Sequence, residues 1–146
     1  MDSWGDSTSS YEDIRKVYFF DKKELGHGHF GSVRRAKLII DPKKMYAVKT
    51  INKEKLTDDL YLLKRELEIL RNCDHPNIAK FYESYQDNQF FHFVLEYCSG
   101  GDICDVLKKN SLPEQQVRKL MFQILSAVNH LHEKQICHRD IKPENF

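Results

Sequence analysis

Gly26-His27-Gly28-His29-Phe30-Gly31-Ser32-Val33 is followed, after the turn signal Asp41-Pro42-Lys43-Lys44, by Met45-Tyr46-Ala47-Val48-Lys49-Thr50-Ile51. Glycine allows close approach of backbone to a ligand, and successive N–H groups can then face phosphate oxygens. A glycine cluster alone serves a tight hairpin as readily as a ligand. The flanks carry the distinction. A dinucleotide-binding turn needs a helix next, whereas Val17-Tyr18-Phe19-Phe20 precedes these glycines and Ser32 to Leu38 follows them, both with strand-like composition. Met45 to Ile51 reads as a third strand, and antiparallel pairing is the simplest arrangement of three strands so close together.

Leu60, Leu63, Leu67 and Leu70 recur at helical spacing, so the pattern predicts an amphipathic helix over 58–72, ended by Asp74-His75-Pro76-Asn77. Ile78 to Tyr85 and Phe90 to Tyr97 read as two further strands around Gln86-Asp87-Asn88-Gln89. Five strands and one helix make an α+β unit. After Ser99-Gly100-Gly101 the pattern turns helical. Asp102 to Lys109 is a short helix, and Ser111-Leu112-Pro113-Glu114 resembles a capping box opening a longer one. Val117, Leu120, Met121, Ile124, Leu125, Val128 and Leu131 give that helix a wide apolar stripe, which needs partners on more than one side. Residues 1–10 read as a mobile tail, 11–97 as the α+β unit and 98–146 as a hinge and the start of a helical region.

Lys49 sits between Val48 and Thr50-Ile51, which suggests a partly buried ammonium in need of a carboxylate. Glu66, beside the apolar stripe of the predicted helix, is the better candidate; Glu68 competes from a more exposed face. His27 and His29 flank Gly28, either as solvent-facing tip residues or as charge near phosphate when protonated. His130, His132, Cys137 and His138 lie near one another in sequence, but their spacing matches no zinc pattern.

The bulk properties exclude little. The 146 residues are enough for one core, with 40% hydrophobic and 31% charged residues. A formal net charge of +1 gives no reason to expect nucleic acid or an anionic membrane as partner. No stretch approaches the roughly 18 apolar residues of a membrane helix. Met1-Asp2-Ser3-Trp4-Gly5 lacks the features of a signal peptide, and position two is not glycine, as myristoylation would require. Cys73, Cys98, Cys104 and Cys137 are unpatterned and read as reduced thiols of a cytoplasmic protein.

The chain ends one residue after His138-Arg139-Asp140-Ile141-Lys142-Pro143-Glu144-Asn145. Together with the glycine cluster, Ala47-Val48-Lys49, Arg65-Glu66-Leu67-Glu68-Ile69-Leu70 with His75-Pro76-Asn77-Ile78, and Val94-Leu95-Glu96-Tyr97 with Gly100-Gly101, it resembles the N-terminal half of a eukaryotic protein kinase catalytic domain from about Tyr18 onward. The resemblance implies a five-stranded N-lobe and the first helices of a helical C-lobe, with ATP and magnesium as cofactors. Gly26, His27, Gly28, His29, Phe30 and Gly31 would lie over the triphosphate. Lys49 would hold the α- and β-phosphates and pair with Glu66. Val33 and Ala47 would sandwich the adenine, with Leu95 as gatekeeper. Backbone groups of Glu96 and Cys98 would read the adenine edge, and Asp102 would approach the ribose. Asp140 would accept the proton of a substrate hydroxyl, Lys142 would neutralise the phosphoryl group, and Asn145 would bind one magnesium. Lysine at 142 is similar to the serine/threonine branch, so a protein substrate with Ser or Thr is implied.

Within the family the look is of calcium/calmodulin-regulated and calcium-dependent kinases, carried by 66–78, 91–102 and the lead-in Tyr11 to Tyr18. Calcium or calmodulin control is implied only by that likeness, since no D-x-[DN]-x-[DN]-G loop is present. The family's second metal ligand belongs to an Asp-Phe-Gly segment, which does not occur here. The expectation is therefore an incomplete serine/threonine kinase domain; the alternative is an ATP-binding or interaction fragment without turnover.

Overall fold

In the computed structural model, residues 9–10, 13–28, 31–56, 60–109 and 111–146 are described. Strands β1 (Ser9–Ser10), β2 (Tyr18–Gly28), β3 (Gly31–Leu38), β4 (Met45–Asn52), β5 (Phe81–Gln86) and β6 (Phe90–Glu96) form one sheet in the order β1-β5-β6-β4-β3-β2. Helices α1 (Leu60–Asn72), α2 (Ile103–Lys109) and α3 (Glu114–Glu133) complete the regular structure, with 3-10 turns at Ile14–Lys16, Lys53–Leu56 and Pro143–Asn145. The five longer strands pair antiparallel, and the fold is the expected α+β class. The chain divides into two compact units, 1–72 with 80–97, and 73–79 with 98–146.

The first unit is built around β4 and β6. Side chains alternate across a pleated strand. Ile51, Phe91 and Phe93 therefore share one face, where Leu63 and Leu67 of α1 and Leu56 pack on them. Val48 and Val94 occupy the other face with Ala36, Tyr85, Tyr18 and Ile14. Both faces of these strands are buried, which accounts for apolar runs such as Phe93-Val94-Leu95 in place of strict alternation.

The second face has a cover that helical or strand periodicity does not predict. Asp13 caps the 3-10 turn through the Arg15 N–H (3.0 Å), and the turn drops Ile14 into the core. Tyr18 follows, its hydroxyl donating to Glu83 Oε1 at 2.5 Å; burial first, then that carboxylate, raises its pKa. Its ring meets Tyr46 edge-on at 5.3 Å, and Tyr46 meets Tyr82 at 5.1 Å.

Three expectations need correction. Within the stretch taken for a tail, Ser9 and Ser10 pair in parallel with Ser84 and Tyr85; residues 1–8 lie outside the described set. Ile78 to Lys80 is not strand. Pro76-Asn77 turns the chain, with Ile78 N–H donating to His75 O, so β5 starts at Phe81. Just before it, Lys80 O accepts from Glu96 N–H (2.8 Å) while the Glu96 carboxylate accepts from Lys80 N–H (3.1 Å). Lastly, no capping box opens α3. Pro113 is the cap residue, with ψ 146° and no side-chain cap, and its carbonyl accepts from Gln116 and Val117. Proline has no N–H to be capped and its extended ψ delays the helix to Glu114.

In the second unit, 73–79 lies against α3: His75 Nε2 is 3.1 Å from Ser126 Oγ, and the His75 and His130 rings are 5.1 Å apart. Asp102 caps α2, its Oδ1 accepting from Asp105 N–H at 2.7 Å. α3 ends in a Schellman motif, with Ile136 N–H donating to Leu131 O and Gln135 N–H to His132 O while Gln135 adopts φ 60°. Among the described residues no helix is long and apolar enough to cross a membrane, and none of the four cysteines forms a disulfide.

Candidate functional site

The candidate residues fall into two groups, one in each unit. In the first, register decides which side chains share a face. Val33 is paired with Lys49, and Ala47 with Leu95, so Val33, Ala47, Lys49 and Leu95 all lie on the face of the sheet that α1 covers further along. Lys49 Nζ is 2.6 Å from Glu66 Oε1, joining β4 to the middle of α1. Both side chains are part-exposed, at 36% and 45%, so the pair is reachable by a ligand. Glu68, the competing carboxylate, takes no part in that ion pair and is exposed; its carbonyl accepts from the Asn72 amide (2.8 Å).

The three glycines are not equivalent. β2 and β3 pair through Gly26 with Val33, His27 with Ser32 and Gly28 with Gly31. A Cβ at Gly31 would collide with the Thr50 carbonyl of β4, so Gly31 is required by strand packing alone. A Cβ at Gly26 would meet nothing, and one at Gly28 only the Gly31 carbonyl at 4.0 Å. These two positions border open space where a ligand can approach backbone. His27 is exposed, 3.6 Å from Glu24; His29 and Phe30 lie outside the described residues. Glu96 commits its N–H to Lys80 O.

The second group is in 138–146. Asp140 Oδ2 lies 2.9 Å from Lys142 Nζ and accepts from Asn145 Nδ2, also at 2.9 Å; the same amide donates to Asp140 O at 2.7 Å. Asp140 N–H donates to His138 Nδ1 (3.2 Å), and the His138 ring stacks on Phe146 at 6.0 Å. The hydrogen bond from Lys142, then that from Asn145, holds the Asp140 carboxyl below the usual range, and Asp140 raises Lys142 in turn. Asp140 is therefore a carboxylate at neutral pH, exposed and able to accept a proton. Arg139 has φ 66°, a left-handed conformation costly for a residue with a side chain. Phe146 O accepts from Ile103 N–H at 2.8 Å and ties the loop to α2. Cys98 and Asp102 also belong to this unit; Cys98 is exposed, and Asp102 has one carboxylate oxygen engaged in capping.

His138 is the functional candidate that sequence reasoning passed over. It stands there in the 138–145 string and in the histidine cluster without a role of its own, yet it fixes the backbone of Asp140. Its place two residues before the carboxylate is the signal, because an imidazole there reaches the i+2 N–H.

The model of the protein kinase domain matches residues 19–146. The chain belongs to the protein kinase domain family. It is 43% identical over 138 residues to calcium-dependent protein kinase 5 of Plasmodium berghei (strain Anka), covering 92% of this chain and 24% of that protein. To calcium/calmodulin-dependent protein kinase type 1 of Macrobrachium nipponense it is 37% identical over 126 residues, 86% of this chain and 36% of that one. A crystal structure of Rad53 1–466 in complex with AMP-PNP superposes with a TM-score of 0.84 at 34% identity, over 90% of this chain and 35% of that one. The chain spans about a quarter of the length of the first relatives it matches.

Proposed function

We propose that this chain carries the nucleotide-binding face and catalytic loop of an ATP-dependent serine/threonine protein kinase. The observation that carries the reading is the 2.6 Å Lys49–Glu66 pair, on the same sheet face as Val33, Ala47 and Leu95. An ammonium held by one carboxylate retains donors for phosphate oxygens, and the apolar side chains beside it offer a surface for a flat base. Gly26 and Gly28 would let backbone close over the phosphates, and Glu96 would contact the base. The AMP-PNP complex of the related structure supports a nucleotide here.

Asp140 would accept the proton from a substrate hydroxyl as that oxygen attacks the terminal phosphorus, and Lys142, already 2.9 Å from Asp140, would offset charge on the transferred group. His138 and Asn145 hold the Asp140 backbone and carboxylate in place. The Asn145 amide oxygen and Asp140 carboxylate are hard oxygen donors of the kind magnesium takes. Bound magnesium would neutralise phosphate charge. Among the described residues no three His, Cys, Asp or Glu side chains gather to hold a metal, so Asn145 would be one ligand of a wider shell.

Lysine at 142 favours Ser/Thr substrates, and the names of the relatives favour calcium or calmodulin control. Isothermal titration with ADP and magnesium tests the nucleotide part: binding to the wild type is expected to weaken at least about tenfold in Lys49→Met, and equal affinity overturns it. In the full-length protein, transfer to Ser/Thr peptides is expected to fall about a hundred- to ten-thousandfold in Asp140→Asn. Phosphotyrosine as the main product, or full activity of that variant, overturns the rest.

A further inference from the structure

The first unit holds a cavity of about 500 Å³ that the nucleotide reading does not use. That volume is in the range of small-ligand sites. The cavity opens on the sheet face opposite Lys49. Ser32, Thr50 and His92 line it, and register places these three in one row across β3, β4 and β6, one position out of phase with Val33, Lys49 and Phe93.

The row is preorganised. Thr50 Oγ1 is 3.0 Å from His92 Nδ1, and His92 Nε2 is 3.4 Å from Asp87 Oδ2. With Asp87 accepting from Nε2–H, Nδ1 is left to accept from the Thr50 hydroxyl. Burial holds the imidazole below its ordinary pKa, so it is neutral at pH 7. Phe20 and Phe90 give aromatic walls.

Arg15 and Arg34 are the only formally charged residues among the described residues lining the cavity. Arg34 shares its guanidinium with Glu24 at 2.7 Å. Asp13 engages the backbone N–H of Arg15, not its guanidinium. A guanidinium binds a carboxylate or sulfonate with paired donors, and positive rim charge over aromatic walls disfavours a cation.

We infer that this cavity binds a small planar aromatic anion, its ring system between Phe20 and Phe90 and its acidic group at Arg15 and Arg34. The site does not depend on the nucleotide or on Asp140.

The test uses the 146-residue chain, naphthalene-2-carboxylate and its neutral counterpart naphthalene-2-carboxamide, followed by amide NMR. The carboxylate is expected to shift the signals of Ile14, Ser32, Thr50 and His92 and to bind about five- to tenfold tighter than the carboxamide. Arg15→Gln, an exposed change, is expected to remove most of that preference, and saturating ADP is expected to leave affinity unaltered. Shifts confined to Val33, Ala47 and Lys49, displacement by ADP, or equal affinity for the two naphthalenes in the wild type would each overturn the proposal. The last comparison needs no variant.

Discussion

Gly31 and Gly26 belong to one sequence motif, yet different forces hold them. Gly31→Ala would push a methyl group into the Thr50 carbonyl and is expected to cost about 1–3 kcal/mol in urea unfolding. Gly26→Ala enters open space and should change stability by less than about 0.5 kcal/mol. Equal costs would show that β3 and β4 do not pack as closely as described. His92 supplies a pH dependence. Its folded pKa lies below the ordinary 6.5, chiefly through burial, which outweighs the pull of Asp87 in the other direction. Between the two values the unfolded chain binds more protons, so stability falls as pH drops below about 6.5 and the fall ends below the folded value. Unfolding at pH 7 and pH 5 checks this: His92→Gln should lose less stability than the wild type over that interval. Asp140, Lys142 and Asn145 lie close together in sequence, so short-range spacing alone brings them forward as candidates, whereas the hold of His138 on the Asp140 backbone was not read from it. Arg139 at φ 66° was not legible, because no residue type announces strain that its surroundings impose.

At the scale of elements, most strands and helices were readable because one face of each is apolar. Leu63 and Leu67 mark the buried face of α1, and β4 and β6 place apolar residues on both faces (Ile51, Phe91 and Phe93 on one, Val48 and Val94 on the other) because both faces are covered. The failures are at ends. Ile78 to Lys80 has strand composition but is held by the Pro76-Asn77 turn, and the start of α3 is set by the dihedrals of Pro113. The other end of α3 offers a test. Gln135 occupies the left-handed C′ position of the Schellman motif, where glycine has no steric penalty. Gln135→Gly is expected to raise stability by about 1 kcal/mol, read as a higher urea midpoint with an unchanged slope. A lower midpoint would mean that the loss of glycine's unfolded-state entropy outweighs the relief of strain.

For the molecule as a whole, two units carry two different surfaces. The second exposes Val117, Met121, Phe122 (75%) and Leu125 (60%) along α3. The apolar stripe read from the sequence is there, but most of it is not core. Such a face promotes association. Sedimentation velocity is expected to show concentration-dependent self-association that Phe122→Glu with Leu125→Glu suppresses, with helix content unchanged; a monomer at every concentration would show that the face is inert.

By itself the sequence determined the α+β class, the order of the longer strands and helices and the close spacing of Asp140, Lys142 and Asn145, because period, turn residues and short-range spacing are local properties of the chain. Only the tertiary structure decided that Lys49 meets Glu66 seventeen residues away, that Gly31 must be glycine while Gly26 need not be, and that Ser32, Thr50 and His92 form one row on the sheet face opposite Lys49. Those facts depend on strand register and helix docking. Both are set by cooperative burial of side chains from distant segments, and no single segment specifies them alone.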